Sequence, residues 1–141
     1  MNLLEQEITE HFKYKEALYL GSWGIYVYPD SNLIWNNITE TSIVLEDIRA
    51  ILGGRPLKIT SWYRPEKYNE FIGGAKKSMH AHGLAVDFNC KDISCDLIRV
   101  KLLPHLEILD IRMEVGDGRN RVHIDLKRDV KLKPEQRFFK P

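Results

Sequence analysis

Two short stretches of the chain alternate apolar and polar side chains with the period of a half-buried strand, and both carry metal-capable groups on the polar face. In Ser78-Met79-His80-Ala81-His82-Gly83-Leu84-Ala85-Val86-Asp87-Phe88, the residues Leu84, Val86 and Phe88 share one face of an extended segment, and Ala85 and Asp87 share the other. In Val122-His123-Ile124-Asp125-Leu126, the three aliphatic residues point to a core while His123 and Asp125 point away from it. Laid side by side, such strands bring Asp87 and His123 within reach of one ion, and His80 arrives from the loop before the first strand. Two neutral imidazoles and one carboxylate suit tetrahedral Zn2+ with a fourth position left to water, the arrangement of a catalytic site and not of a closed structural one.

Elsewhere the pattern predicts helices around this pair. Leu4, Ile8 and Phe12 stand at helical spacing and predict a short arm over residues 1–18, followed by an aromatic, turn-rich cover over 19–36. A helix starting at Asn37, with Glu40 closing a capping box, carries the stripe Val44, Ile48, Ile51 and Leu52 and ends at Gly53-Gly54. Leu57–Ser61 reads as a strand that delivers Trp62-Tyr63-Arg64-Pro65. A residue before proline is held extended, so Arg64 projects from a rigid strand end, where a planar guanidinium suits two-point grip of a carboxylate. Residues 69–77 predict a turn or short helix and a Gly73-Gly74 loop. Residues 93–103 form an amphipathic stretch stopped by Pro104. Residues 109–115 predict a strand that turns through Gly116–Asn120 into the His123 strand. The tail, 128–141, is expected to wrap the surface. The fold class is therefore α+β, with a small antiparallel sheet and flanking helices in one domain of 141 residues. Its parts are an N-terminal arm and cover (1–36), a core carrying the metal site (37–127) and a C-terminal tail (128–141).

Bulk properties narrow the partners. A net charge of +1, with Lys and Arg spread among the acids, argues against nucleic acid, which calls for a concentrated basic face. Cys90 and Cys95 are too few for a disulfide framework and read as free thiols. No apolar run has the length of a signal peptide or a membrane span, so the expectation is a monomer without a membrane partner that stays in the cytoplasm as made.

The motif Ser-x-His-x-x-Gly-x-Ala-x-Asp at residues 78–87, followed by the strand histidine His123, resembles the zinc D-alanyl-D-alanine peptidase family. That family includes carboxypeptidases, vancomycin-resistance dipeptidases, phage L-alanyl-D-glutamate endolysins and the Hedgehog signalling domain. Ile59-Thr60-Ser61-Trp62-Tyr63-Arg64-Pro65, Asn69 and Gly73-Gly74-Ala75 look like the family's lead-in, so the resemblance covers roughly residues 40–127. It implies a Hedgehog/DD-peptidase-like domain whose zinc ligands are His80, Asp87 and His123. It also implies that Arg64 and Ser78 bind the substrate's carboxylate or neighbouring peptide oxygen. Family spacing selects His80 over His82, leaving His82 as a neighbour near the water.

Hydrolysis also needs a carboxylate beside that water. Most relatives carry it three residues before the last histidine, which here is Asn120; Hedgehog-like relatives carry it six before, which is Asp117. Glu114, nine before, shares a strand face with Arg112 and can fold over the metal through the hairpin, and a strand holds a side chain more rigidly than a Gly-flanked turn. Glu114 and Asp117 both stand as candidates, with Glu114 preferred. The function implied is a zinc peptidase cutting peptidoglycan stem peptides of the bacterial cell wall, as a D-Ala-D-Ala carboxypeptidase or an L-Ala-D-Glu endopeptidase. Small size and the absence of a signal peptide fit a phage lysis protein released to the wall by a lysis system. The alternative is a non-catalytic, metal-stabilised binding or virion-structural domain of the same fold.

Overall fold

The two alternating stretches lie next to each other at the centre of a five-stranded sheet. A computed structural model of the chain describes residues 2–127 and 129–141. In order the elements are β1 (Glu7–Thr9), β2 (Phe12–Lys13), α1 (Tyr14–Leu18), β3 (Tyr19–Leu20), β4 (Ile25–Tyr26), α2 (Asn32–Ile51), β5 (Lys58–Ser61), α3 (Glu66–Phe71), β6 (Ala85–Asn89), α4 (Cys95–Leu102), α5 (Leu106–Leu109), β7 (Arg112–Glu114), β8 (Val122–Asp125) and β9 (Phe138–Phe139). The main sheet has the order β5-β6-β8-β7-β9, while β1-β2 and β3-β4 are separate two-stranded ribbons. All neighbours in the main sheet are antiparallel except β7 and β9, which run parallel. The architecture is that of a single small α+β domain.

One face of the sheet is the core. Val86, Phe88, Met113, Val122 and Ile124 are fully buried and join Leu45 and Ile48 of α2 and Ile98 and Leu102 of α4 in one cluster. Each such side chain contributes roughly 1.5–3 kcal/mol relative to exposure, and that burial sets the register, since a one-residue slip would turn the whole set outward. The same alternation leaves the polar face to Asp87 and His123.

The structure revises several expectations. Helix α2 starts at Asn32, with Ser31 at its N-cap, and not after Asn37. Ile34 and Trp35 extend the apolar stripe upstream, and the Trp35 indole donates to the Pro29 carbonyl, anchoring the first turn. The expected helical arm over 1–18 is helical only at Tyr14–Leu18 and in one 3-10 turn at Leu3–Glu5; residues 7–13 form the β1-β2 ribbon. This segment is core, not periphery, because Phe12, Ala17 and Leu18 are fully buried. The ribbon is tied to α2 through Thr9 and His11, both bonded to Glu46. The strand expected over 109–115 is split, with α5 ending at Leu109 and β7 beginning at Arg112, because Asp110 takes a left-handed conformation between them. The tail does not simply wrap the surface: β9 adds the fifth strand, clamped by Arg137, which donates to the Ile111 carbonyl and the Asp110 carboxylate. Arg128 lies outside the described residues. Cys90 and Cys95 are buried free thiols.

Candidate metal centre and active site

Sheet register assembles the site. Ser61 pairs with Asp87, Asp87 with His123, and Glu114 with Phe139, while the β7-β8 register sets Glu114 opposite His123. One row therefore crosses all five strands, carrying Asp87 and His123 at its centre and Glu114 beside them.

His80 enters this row from above. Ser78 caps a 3-10 turn, Met79–His82, by accepting from the His80 amide, and the turn ends at Gly83 in the left-handed conformation, φ 72°. A Cβ at Gly83 would stand 2.9 Å from Ile38 Cγ1, so the glycine serves both the turn and a close approach to α2. The upstream motif is explained similarly. Asn69 donates to the Ala75 carbonyl and accepts from Arg64, and a Cβ at Gly74 would collide with its carboxamide. The asparagine and the second glycine thus shape the loop that walls the cleft.

The donor atoms of His80, Asp87 and His123 all lie within 4.8 Å of one another. His80 Nε2 is 3.4 Å and His123 Nδ1 is 2.9 Å from Asp87 Oδ1. Two donors on one tetrahedral zinc, with bonds of about 2.0–2.1 Å, stand about 3.3 Å apart, which these spacings bracket. The remaining ring nitrogens are committed elsewhere: His80 Nδ1 lies 2.7 Å from the Trp62 carbonyl, and His123 Nε2 lies 3.0 Å from Asp125 Oδ2. Such bonds fix ring orientation and tautomer, leaving His80 Nε2 and His123 Nδ1 for a cation. Asp125 is itself held in two-point fashion by Arg112, at 2.8 and 2.9 Å. The residues fit a metal of the zinc type.

Electrostatics leave His80 and Asp87 in the states a cation needs, while His123 holds a proton that a cation would displace. Burial pushes His80 below the usual histidine range despite the opposing pull of Asp87, so its imidazole is neutral at pH 7. Burial alone would raise Asp87, but hydrogen bonds with His123 and His80 hold it well below the usual carboxylate range. For His123 burial works downward, yet hydrogen bonds with Asp125 and Asp87 carry it up to about 9.

The three residues line a cleft of about 300 Å³, together with Arg64, Ser78, Glu114, Arg119, Arg121, the Gly73–Ala75 loop and Pro141. Glu114 Oε1 stands 4.0 Å from His123 Nε2. Asp117 lies on the turn outside this lining, its side chain 43% exposed and paired with Arg121 at 3.1 Å. Asn120 points elsewhere, accepting from the Cys95 thiol. Arg64 does not project freely: it donates to Asp87 Oδ2, Ser61 and Asn69, and its side chain is 11% exposed. Ser78 lines the cleft as well as capping its turn. His82 is absent from the cleft lining and borders a separate hollow with Leu33, Met79, Leu84 and Leu126.

Arg121 was missed from the sequence. Its Nη1 donates to Asp87 Oδ2 at 3.3 Å, so two guanidiniums hold that oxygen and leave Oδ1 toward the imidazoles. The signal was available, since Arg121, just before β8, stands in alternation with His123 and Asp125.

Two imidazoles and a carboxylate, each oriented by a further partner and opening on a cleft with a nearby glutamate, form a set that could hold one metal ion. The chain belongs to the peptidase M15 family, whose model matches residues 11–125, and it is accordingly a peptidase by family. No curated protein matches the chain. Among the described residues, no helix is long and apolar enough to cross a membrane.

Proposed function

We propose that the protein is a zinc-dependent peptidase that hydrolyses peptide bonds in the stems of bacterial peptidoglycan. The observation that carries this reading is the convergence of His80, Asp87 and His123 on one point, with both imidazoles oriented by outer partners, in a cleft that also holds Glu114.

His80, Asp87 and His123 would hold zinc, which would supply Lewis-acid chemistry that polarises a carbonyl and lowers the pKa of a water toward about 7. Glu114 is suited to take a proton from the attacking water and pass it to the leaving nitrogen. Its position opposite His123 on a rigid strand supports that role over Asp117, whose carboxylate is engaged with Arg121 on an exposed turn. Arg64 and Arg121 anchor Asp87, and Ser78, whose oxygen accepts from the His80 amide, keeps a hydroxyl proton to offer a substrate oxygen. Three arginines against two acids in the lining favour a substrate bearing a carboxylate, as wall stem peptides do.

Purified protein incubated with zinc and defined muropeptides, with products read by mass, tests the proposal. Loss of a terminal D-alanine marks a carboxypeptidase, and cleavage within the stem marks an endopeptidase. Tight zinc binding without any product would favour the non-catalytic, metal-stabilised alternative.

A further inference from the structure

The cross-sheet row that carries Asp87, His123 and Glu114 does not end with them. Its last member is Phe139, paired with Glu114 across the parallel β7-β9 ladder. Residues 138 and 139 lie beyond the segment matched by the family model, and β9 is bonded to β7 along a parallel ladder whose backbone hydrogen bonds include Met113 N to Arg137 O and Val115 N to Phe139 O. The Phe139 ring has two neighbours that matter for the metal centre. The Arg112 guanidinium carbon sits 3.9 Å from the ring centroid, within range of a cation–π contact. The His123 ring meets it edge-on, with centroids 6.3 Å apart and planes at 78°.

Arg112 is the residue that grips both oxygens of Asp125, and Asp125 is the partner of His123 Nε2. A flat guanidinium that must meet a carboxylate edge-on needs something to set its plane, and an aromatic face does so while covering it from water. Phe139 thus touches the relay at both ends, at Arg112 and at His123 itself. Phe138 makes an internal control: it is the adjacent residue of the same two-residue strand, points to the other face, and is 37% exposed.

The structure assigns Phe139 as a positioning residue of the metal centre, acting through Arg112 and Asp125 to hold the His123 ring in its ligating orientation. The C-terminal strand is then part of the active site and not an appendage. This rests on the reading of His80, Asp87 and His123 as metal ligands.

The test measures zinc affinity of the full chain by competition with a chromophoric chelator, alongside thermal unfolding and peptidase activity. Outer-shell partners of a ligating histidine alter metal affinity by about 10–100-fold. Phe139→Ala is expected at the lower end, about tenfold weaker, with kcat reduced and KM little changed. Phe139→Leu, which keeps apolar cover but removes the ring face, is expected to lose affinity too. Phe139→Tyr is expected to retain wild-type affinity, as is Phe138→Ala. Unchanged zinc affinity in both Phe139→Ala and Phe139→Leu would overturn the assignment, as would equal losses in Phe138→Ala and Phe139→Ala, the mark of a strand that only stabilises the fold. Failure of the wild-type protein to bind zinc is a separate outcome: it overturns the metal site first, and this proposal with it.

Discussion

The turn Met79–His82 separates two concavities of opposite character. On one side lies the cleft of about 300 Å³ with His80, Asp87, His123 and three arginines; on the other lies a hollow of about 450 Å³ bordered mainly by Leu33, Met79, Leu84 and Leu126, with Asn37, Glu40, His82 and Asp129 beside them. The convergent metal-capable cluster among the described residues lies in the smaller space. His80 and His82 are two residues apart, and His80 has one ring nitrogen bonded to a carbonyl and the other beside a buried carboxylate, an arrangement that His82 does not share among the described residues. Size marks where a molecule could fit, while convergence of oriented polar groups marks where chemistry can occur.

Replacing the two histidines separately is the sharpest way to break this contrast. His80→Ala is expected to abolish stoichiometric zinc binding and to lower peptidase activity by about a thousandfold, the several kcal/mol a Lewis acid supplies. His82→Ala should keep zinc within about twofold of wild type, because among the described residues the cluster that could hold a metal is His80, Asp87 and His123; metal analysis after dialysis checks both. Retention in the first and loss in the second would exchange the roles of the two sides.

An effect on kcat alone, with the metal retained, separates the two acids of the β7-β8 hairpin. Glu114→Gln should bind zinc normally and lose about 10²–10⁴ in kcat, the range of a positioned acid–base group. Asp117→Asn should stay within a few fold, and single-turnover kinetics on a defined muropeptide would reveal a reversal.

Next comes pH. His123 is raised from its usual value near 6.5 to about 9, so in the metal-free protein it is protonated at neutral pH and a cation must displace that proton. Apparent zinc affinity should climb up to tenfold per pH unit until about pH 9 and then level off, with close to one proton released per zinc at pH 7.5, measured by calorimetry in buffers of different ionisation enthalpy. The same shift acts on metal-free stability with the opposite sign. Because the folded pKa exceeds the unfolded one, the stabilisation is complete below about pH 6.5 and is lost as pH rises through about 9. Flat zinc affinity across this window would contradict the hydrogen bonds drawn to His123.

The smallest effect concerns the turn itself. Gly83→Ala puts a side chain in the left-handed region against Ile38 and is expected to cost about 2 kcal/mol, seen as a Tm lower by several degrees. An unchanged Tm would mean that α2 and the turn are less tightly opposed than their contact suggests.

Much of this site was legible in the chain because strand alternation is a local property. Val86 and Phe88, like Val122 and Ile124, alternate with Asp87 and His123, and burying one set necessarily presents the other. The family motif at residues 59–87 had the same local character, and the structure gives its reasons in the Asn69 bridge and the Gly74 and Gly83 close approaches. Helix starts were less legible. The first turns of α2 contain Trp35 beside turn-forming residues, so their local composition spoke for a loop while packing on the core decided for a helix.

By itself, then, the sequence determined which residues could face a metal and which would be buried, because side-chain direction in a strand follows from position alone. Tertiary structure decided the partners. Strand order put β8 between β6 and β7, so that His123 met Asp87 on one side and Glu114 on the other, and it brought Arg121 onto Asp87, Arg112 onto Asp125 and Phe139 onto Arg112. Apart from Glu114 and His123, which meet across a hairpin, those pairings join residues 13 to 36 positions apart, and their geometry depends on register and sheet order, which no short window of the sequence contains.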